Sequence, residues 1–156
     1  MESKIVLKSL KVSAFGADCK YRIVETDEND GMSENEFHVK ISRSVQFELA
    51  EIFMKRLPEV VADMIGDIAA YDTETMMATK IRATGITFAG KDDNEGVSII
   101  GERESKCGKI TFKTPRIKYL LGDTDFHAKL TVIAADIRRE FETYLRGEIS
   151  KPEVFD

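Results

Sequence analysis

The residues best suited to chemistry are five basic side chains that lie between positions 106 and 119, a stretch without Asp or Glu. In the segment 109–113, KITFK, alternation places two lysines and a threonine on one strand face, and an isoleucine and a phenylalanine on the other. A basic strand face beside an aromatic residue suits the phosphates and bases of single-stranded nucleic acid, or another phosphate-bearing ligand. The alternative is a solvated polar face with Phe112 in the core. The candidate ligand-binding residues are Lys106, Lys109, Lys113, Arg116, Lys118 and Tyr119.

A second group of basic residues lies in the strand-like segments of the first half. The chain carries a formal net charge of −5, which argues against a protein that coats duplex DNA through bulk charge. If both halves present their strands to one surface, that surface could be basic while the helices and loops carry the acid. The first-half residues are Lys8, Lys11, Lys20, Arg22 and Lys40.

Nucleophilic catalysis requires a nucleophile beside a base, and the chain offers few bases. Its two histidines are His38 and His127, and no G-x-S-x-G motif is present. Its two cysteines, Cys19 and Cys107, are predicted to be free thiols, although either could lie beside His38 in an antiparallel sheet. We therefore expect no catalytic residues and a non-enzymatic protein, with an enzyme of unrecognised site left open as a third hypothesis.

Two acidic loops, 27–31 (DENDG) and 92–96 (DDNEG), contain the oxygen ligands that Ca²⁺ or Mg²⁺ prefers. Their spacing does not fit the EF-hand loop, so solvated turns are the expected structure. Neither a Walker A motif nor G-x-G-x-x-G is present. No metal and no cofactor are expected.

The elements that would position these residues follow from hydrophobic periodicity. In the first half, alternation predicts strands at 4–15, 19–26 and 36–41. Apolar residues at spacings of three and four then predict an amphipathic helix over 44–70, which Ser42 or Ser44 could cap. Pro58 either kinks this helix or begins a second one. Residues 70–79 are a connector.

The second half repeats this order. Strands are predicted at 80–89, with a possible bulge at Gly85, and at 97–103 and 109–113, before a short segment at 117–121. A helix follows, with Asp123 or Thr124 as its cap and Gly147 as its end. The fold class is therefore α+β: two tandem β-β-β-α units form a mostly antiparallel sheet of about six strands, with two main helices packed on one face. The chain is predicted to be a single domain, 1–156, with pseudo-repeat halves at roughly 1–70 and 80–147.

Glycine and proline punctuation in the second half, in GITF at 85–88, GVSIIG at 96–101 and Thr114-Pro115, resembles that of small uncharacterised proteins encoded in phage genomes. This resemblance implies no specific activity and no catalytic residues. It favours a phage accessory or DNA-metabolism role. By architecture alone, the tandem plan also resembles the repeated units of DNA sliding clamps. Clamps present basic helices to DNA, whereas the first helix here carries acidic residues, which counts against that mode.

No apolar run approaches the length of a membrane span, and the N-terminus lacks a signal-peptide pattern, so we expect a cytoplasmic protein that binds no membrane. The first helix is apolar over much of its circumference, which indicates either a deep core or a homo-oligomer interface. Our first hypothesis is an oligomeric, non-enzymatic protein that binds nucleic acid, single-stranded favoured, or a phosphate-bearing ligand. The alternative is a protein-interaction module, an inhibitor or assembly factor, acting through an acidic helix face or an apolar strip.

Overall fold

A computed structural model describes residues 2–29, 31–65, 80–91, 94–119 and 124–149 of the chain. The fold is α+β, as predicted from the sequence. Three strands come first, then a helical segment with a π-helical turn in its middle, then four strands and a long helix. In chain order these are β1 (Glu2–Ser13), β2 (Gly16–Thr26), β3 (Met32–Ile41), α1 (Phe47–Glu51), the π-helical turn (Ile52–Arg56), α2 (Leu57–Ile65), β4 (Ile81–Ala89), β5 (Gly96–Ser105), β6 (Gly108–Lys113), β7 (Ile117–Lys118) and α3 (Thr124–Ile149).

The strands form one sheet in the order β3-β2-β1-β4-β5-β6, in which neighbours are antiparallel. The short strand β7 also pairs with β5, beyond the end of β6. Short hairpin connections explain the antiparallel pairing within β1–β3 and within β4–β6. The two groups meet where Ser9–Lys11 of β1 lie opposite Gly85–Thr87 of β4, and we call these three register pairs the seam.

The core lies between one face of the sheet and the helices. Strand alternation directs Leu10, Ile86 and Ile99 to this face, where each is almost completely buried. Helical residues such as Leu57 and Phe141 cover them and belong to the same buried cluster. The opposite face of the sheet is not covered by any helix in the described part of the chain, and we call it the outer face.

A π-helical turn separates α1 from α2 just before Pro58. The Leu57 N–H donates to the carbonyl of Ile52, five residues earlier, and α2 begins at Leu57 with Pro58 in its first turn. A proline ring clashes with the carbonyl four residues before it in a regular α-helix. We infer that the wider π-helical turn relieves this clash, which lets the helical path continue through the proline.

The predicted serine caps of the first helix are wrong. Helix α1 begins at Phe47, with Gln46 before it and no capping side-chain hydrogen bond. The Ser44 hydroxyl instead donates to the carbonyl of Ala14, at 2.8 Å, and the Gln46 amide donates to the carbonyl of Glu140, at 2.7 Å. These side chains therefore join the helix start to the β1–β2 turn and to α3.

The predicted end of the last helix at Gly147 is also wrong, because α3 continues to Ile149. Gly147 is not among the glycines with positive φ, so it does not form a left-handed cap. A Cβ at this position would lie 3.3 Å from Arg43 Nη2. Arg43 also stacks over the Tyr144 ring and donates to the Tyr144 carbonyl, at 2.6 Å. The absence of a side chain at Gly147 therefore leaves room for Arg43 to lie close to α3.

The bulge predicted at Gly85 is confirmed by a register shift between Ala83 and Gly85. The connector 70–79, the proposed cap Asp123 and the C-terminal tail from residue 150 lie outside the described residues, as do the side chain of Thr124 and positions 92–93 of the second acidic loop.

In the first acidic loop the Asp27 carboxylate accepts hydrogen bonds from the N–H groups of Asn29 and Gly31, an arrangement typical of an Asx turn. No group of three or more candidate metal ligands lies together among the described residues.

Candidate nucleic-acid interface

Among the described side chains on the outer face of the sheet, basic ones outnumber acidic ones. Residues that alternate with the core-facing positions of each strand point to this face, and the register of the strands identifies them. The chain as a whole has a net charge of −5, so the outer face has the opposite balance to the molecule. The basic residues are Lys4, Lys8, Lys11, Lys20, Arg22, Lys40, Arg82, Lys109, Lys113 and Lys118, and the acidic ones are Asp18, Glu34, Glu36, Glu102 and Glu104.

Some of this basic charge is neutralised within the face. Lys8 Nζ lies 2.6 Å from Glu36 Oε1, and this contact holds the pKa of the Glu36 carboxyl below its usual range. At one edge of the sheet Lys109 Nζ lies 3.7 Å from a Glu102 carboxylate oxygen. Arg22 pairs in the same way with a β3 glutamate, at 3.4 Å. These residues are less available to an anionic ligand than their neighbours.

Six exposed basic residues of the outer face make no ion pair with another described residue. They lie on five different strands. An exposed ammonium or guanidinium group without a carboxylate partner can contact a phosphate without first breaking an internal pair. These residues are Lys4, Lys11, Lys20, Lys40, Arg82 and Lys113.

Three of these lysines share one row that crosses the sheet perpendicular to the strands. Neighbouring strands are about 4.8 Å apart, so the first two lysines are separated by about 10 Å and the second and third by about 14 Å at the backbone. Glycine and isoleucine fill two of the places between them, and neither adds charge. The row consists of Lys40, Asp18, Lys11, Gly85, Ile100 and Lys113, on β3, β2, β1, β4, β5 and β6 respectively.

The acidic member of this row has its own partner. Asp18 Oδ1 lies 2.5 Å from His38 Nε2, also on the outer face. Lys20 lies opposite His38 in the next row of the sheet. The Asp18 carboxylate is therefore engaged by the imidazole between the two nearest lysines of the row.

An aromatic side chain lies at the edge of the row, in the β1–β2 turn. Phe15 is 84% exposed, and it lines a shallow groove of about 380 Å³ together with Lys11 and Lys40. The turn is held by Ser13, whose hydroxyl accepts from the Phe15 N–H and donates to the Gly16 carbonyl, each at 3.3 Å. A flat apolar ring beside two unpaired lysines can stack on a base while the lysines contact phosphates.

The tight turn also depends on a glycine. A Cβ at Gly16 would lie 2.0 Å from the backbone oxygen of Ile41, a distance that the backbone could not accommodate without moving. Glycine therefore allows β2 to approach β3 closely just after Phe15. This packing fixes where the turn, and Phe15 with it, lies relative to the lysine row.

The structure brings together only part of the site predicted between residues 106 and 119. Lys109 and Lys113 lie on the outer face, as alternation predicted, with Lys109 paired to a glutamate. Lys106 lies in the β5–β6 turn, Arg116 in the break between β6 and β7, and Lys118 is half-buried on β7. Of these, Lys113 is the member that joins the row of lysines.

The predicted aromatic partner does not lie on this face. Tyr119 packs against the core, and its hydroxyl accepts a hydrogen bond from Arg138 of α3, at 3.4 Å. Burial raises the pKa of its phenol. Phe112 also packs against the core. The aromatic residue of the interface is Phe15, which was predicted from the sequence only as the end of a strand, although the turn predicted from Gly16 places it at a strand end.

A catalytic cysteine–histidine pair is not formed. Cys19 lies opposite Val39 in the sheet, and both side chains point to the core. His38 precedes Val39 on the same strand and therefore points to the outer face. Burial, with a smaller effect of Asp18, raises the pKa of the Cys19 thiol to about 12, so the reactive thiolate is absent near neutral pH. Cys107 is exposed in the β5–β6 turn at the other end of the strand order.

Comparison with known proteins gives no relative: no family model, no curated protein and no solved structure matches the chain. Within the described ranges, no helix combines the length and the apolar character that crossing a membrane requires.

Proposed function

We propose that the protein binds single-stranded nucleic acid across the outer face of its sheet. The observation that carries this proposal is the row formed by Lys40, Lys11 and Lys113, which places unpaired cationic groups on three strands in one line across an uncovered surface. A nucleic-acid backbone laid across the strands would meet these side chains in succession. Counterion release would then supply the binding free energy.

The groove beside Phe15 favours a single strand over a duplex. Bases in a duplex are stacked on each other, and their faces are not accessible to a protein ring. In a single strand a base is free to stack on Phe15, which is 84% exposed, while Lys11 and Lys40 contact the flanking phosphates. A phosphate-bearing ligand without a base could use only the lysines.

The test is fluorescence anisotropy with a labelled oligothymidine, a duplex of the same length, and an abasic oligonucleotide. We expect the single strand to bind more tightly than the duplex. Stacking on an aromatic side chain contributes about 1–3 kcal/mol per base, so Phe15→Ala should weaken oligothymidine binding about 5- to 150-fold and leave abasic binding unchanged. Phe47→Ala is the matched control, because Phe47 is 73% exposed but lies on the helical side.

Two results would contradict the proposal. One is a wild-type protein that binds none of the three probes at low salt. The other is a loss of affinity that is equal for Phe15→Ala and Phe47→Ala, since that would show a general effect on the surface rather than stacking in the groove.

The other predictions about the molecule's role stay proposals. The phage accessory or DNA-metabolism role is implied by the resemblance of the second half and is compatible with single-strand binding. The tandem interpretation of the two groups of strands, and a homo-oligomer that would bury the exposed Phe47 of α1, are hypotheses of the same kind.

The alternative, a protein-interaction module with an acidic helix face, receives less support from the contacts. Asp136 of α3 accepts from Arg56 at 2.7 Å, and Glu59 lies 3.6 Å from Lys129. These acidic groups already engage basic partners within the molecule. They are therefore less suited to recruit a basic partner than the lysines of the outer face are to recruit an anionic one.

A further inference from the structure

A cleft of about 630 Å³ lies at the end of the sheet where β1 and β4 diverge. Strand β1 ends at Ser13 and turns towards β2, whereas the register of β4 against β1 stops at Gly85. The first three residues of β4, Ile81–Ala83, therefore pair with β5 on one side only, as far as the described strands show. The cleft follows this open edge.

The backbone of the open edge directs hydrogen-bonding groups into the cleft. The Glu104 N–H donates to the Lys80 carbonyl at 3.0 Å, and a Cβ at Gly101 would lie 2.2 Å from the Arg82 carbonyl oxygen. Both observations show that Lys80 and Arg82 direct their main-chain groups towards β5. Because these groups alternate along a strand, the N–H and C=O of Ile81 and Ala83 point the other way.

The floor of the cleft is apolar and belongs partly to the π-helical turn. Phe53 and Met54 of that turn line it, together with Ala50 of α1 and Val45. Met54 is 71% exposed, and methionine adapts its shape to irregular apolar occupants. Single π-helical turns occur frequently at functional sites, and this one borders the cleft directly.

The charge at the open edge is basic. Lys80 and Arg82 are exposed and have no ion pair with a described residue, and Arg82 points to the outer face. Glu102 and Glu104 also line the cleft, one strand further from the edge on β5, and Glu102 is paired with Lys109, a third basic lining residue. An incoming segment therefore meets the basic side chains first.

We propose that this cleft binds an extended peptide segment of a partner protein, which adds a strand to the open edge of β4. Its main chain hydrogen-bonds with Ile81 and Ala83, its apolar side chains alternate towards Phe53 and Met54, and its acidic side chains alternate towards Arg82. Strand addition of this kind uses main-chain bonds for affinity and alternate side chains for specificity. The site shares Arg82 with the outer face, but it contains none of the three lysines of the row and does not depend on them.

The test uses a labelled, terminally blocked hexapeptide of alternating valine and glutamate, with valine–lysine and backbone N-methylated versions as controls. We expect saturable binding of the valine–glutamate peptide to the wild type and weak or no binding of both controls. Ala83→Pro removes one N–H that points into the cleft and leaves the bonds to β5 in place, since proline is tolerated on an open strand edge. Loss of that bond and of the close backbone approach should weaken binding about tenfold.

A second variant keeps the test decisive if Ala83→Pro does not fold. Met54→Glu places a carboxylate on the floor at a largely exposed position and should abolish binding of the acidic peptide. Met64→Glu is its matched control, because Met64 is exposed on α2 and does not line the cleft. The proposal is overturned if the wild type does not bind the peptide, or if Met54→Glu and Met64→Glu bind it equally well.

A further arm separates this site from the outer face. The variant with glutamine at positions 11, 20 and 40 should bind the peptide with unchanged affinity. A parallel loss of peptide and oligonucleotide binding in that variant would show that the peptide is held by general basic charge, and would overturn the assignment of the cleft.

Discussion

Replacing Lys11, Lys20 and Lys40 by glutamine should reduce the salt dependence of single-strand binding by a defined amount. Each lysine is exposed and has no ion pair with another described residue, so each can neutralise one phosphate. For single strands, the slope of log K against log salt concentration changes by about 0.7 for each phosphate that is neutralised. The triple variant should therefore have a slope about two units shallower than the wild type.

The difference in slope between the wild type and the triple variant can be measured directly. Between 50 and 200 mM salt, a difference of two slope units means that the wild type loses about twentyfold more affinity than the variant. Fluorescence anisotropy titrations with labelled oligothymidine at four salt concentrations give both slopes. Glutamine at Lys55, Lys91 and Lys129 is the matched control, because these exposed lysines are absent from the outer-face set and their replacement changes the net charge equally.

Equal slopes for the two triple variants would refute the reasoning, since bulk charge and not the outer face would then determine binding. A wild-type slope near zero would refute it as well. A variant that binds weakly but keeps the wild-type slope would show that these lysines contribute through something other than phosphate neutralisation.

Three further predictions concern stability and thiol chemistry. The hydroxyl of buried Thr114 accepts from a main-chain N–H of β5 at 2.9 Å, so Thr114→Val should lower the free energy of unfolding in urea by about 1–3 kcal/mol, and Thr114→Ser by less; equal losses would count against the bond. A native thiol titration at pH 8 should modify Cys107 alone, with Cys19 reacting only after unfolding, because its pKa is raised to about 12; two rapid equivalents would disprove this. The hydrogen bond from Arg56 outweighs the opposing effect of burial and lowers the pKa of Asp136, so its stabilising contribution is present above the unfolded pKa and is lost as pH falls through the folded one. Urea unfolding should show wild type and Asp136→Asn converging as the pH falls below about 4, and a constant difference would contradict the shift.

The strands were predictable because each one carries its own local pattern. Val39 and Ile41 alternate with polar residues, and both pack towards the core as predicted, while the glycine at 85 coincides with a register shift. Alternation also correctly separated Lys113 from Phe112. These properties depend on neighbours in sequence, which is why a single chain reveals them.

Features that depend on distant residues were not predictable in this way. The start of α1 depends on Gln46 bonding to α3 rather than on a local cap. The row of lysines exists only because β1 pairs with β4, which brings residues from both halves into one register. The first-half lysines were recognised as a possible surface, but their alignment with Lys113 required the strand order.

The seam between β1 and β4 has a consequence for how the chain folds. Strands β1–β3 and β4–β6 are each joined by short turns, so their pairings close small loops, whereas the three pairs of the seam close a loop that includes the whole first helical segment. Non-local pairing of this kind forms slowly, because the chain entropy of closing the loop is lost before the stabilising contacts form. We therefore expect two hairpin sheets to form early and to join late, so that amides of Leu10 and Ile86 acquire protection from hydrogen exchange after those within either hairpin.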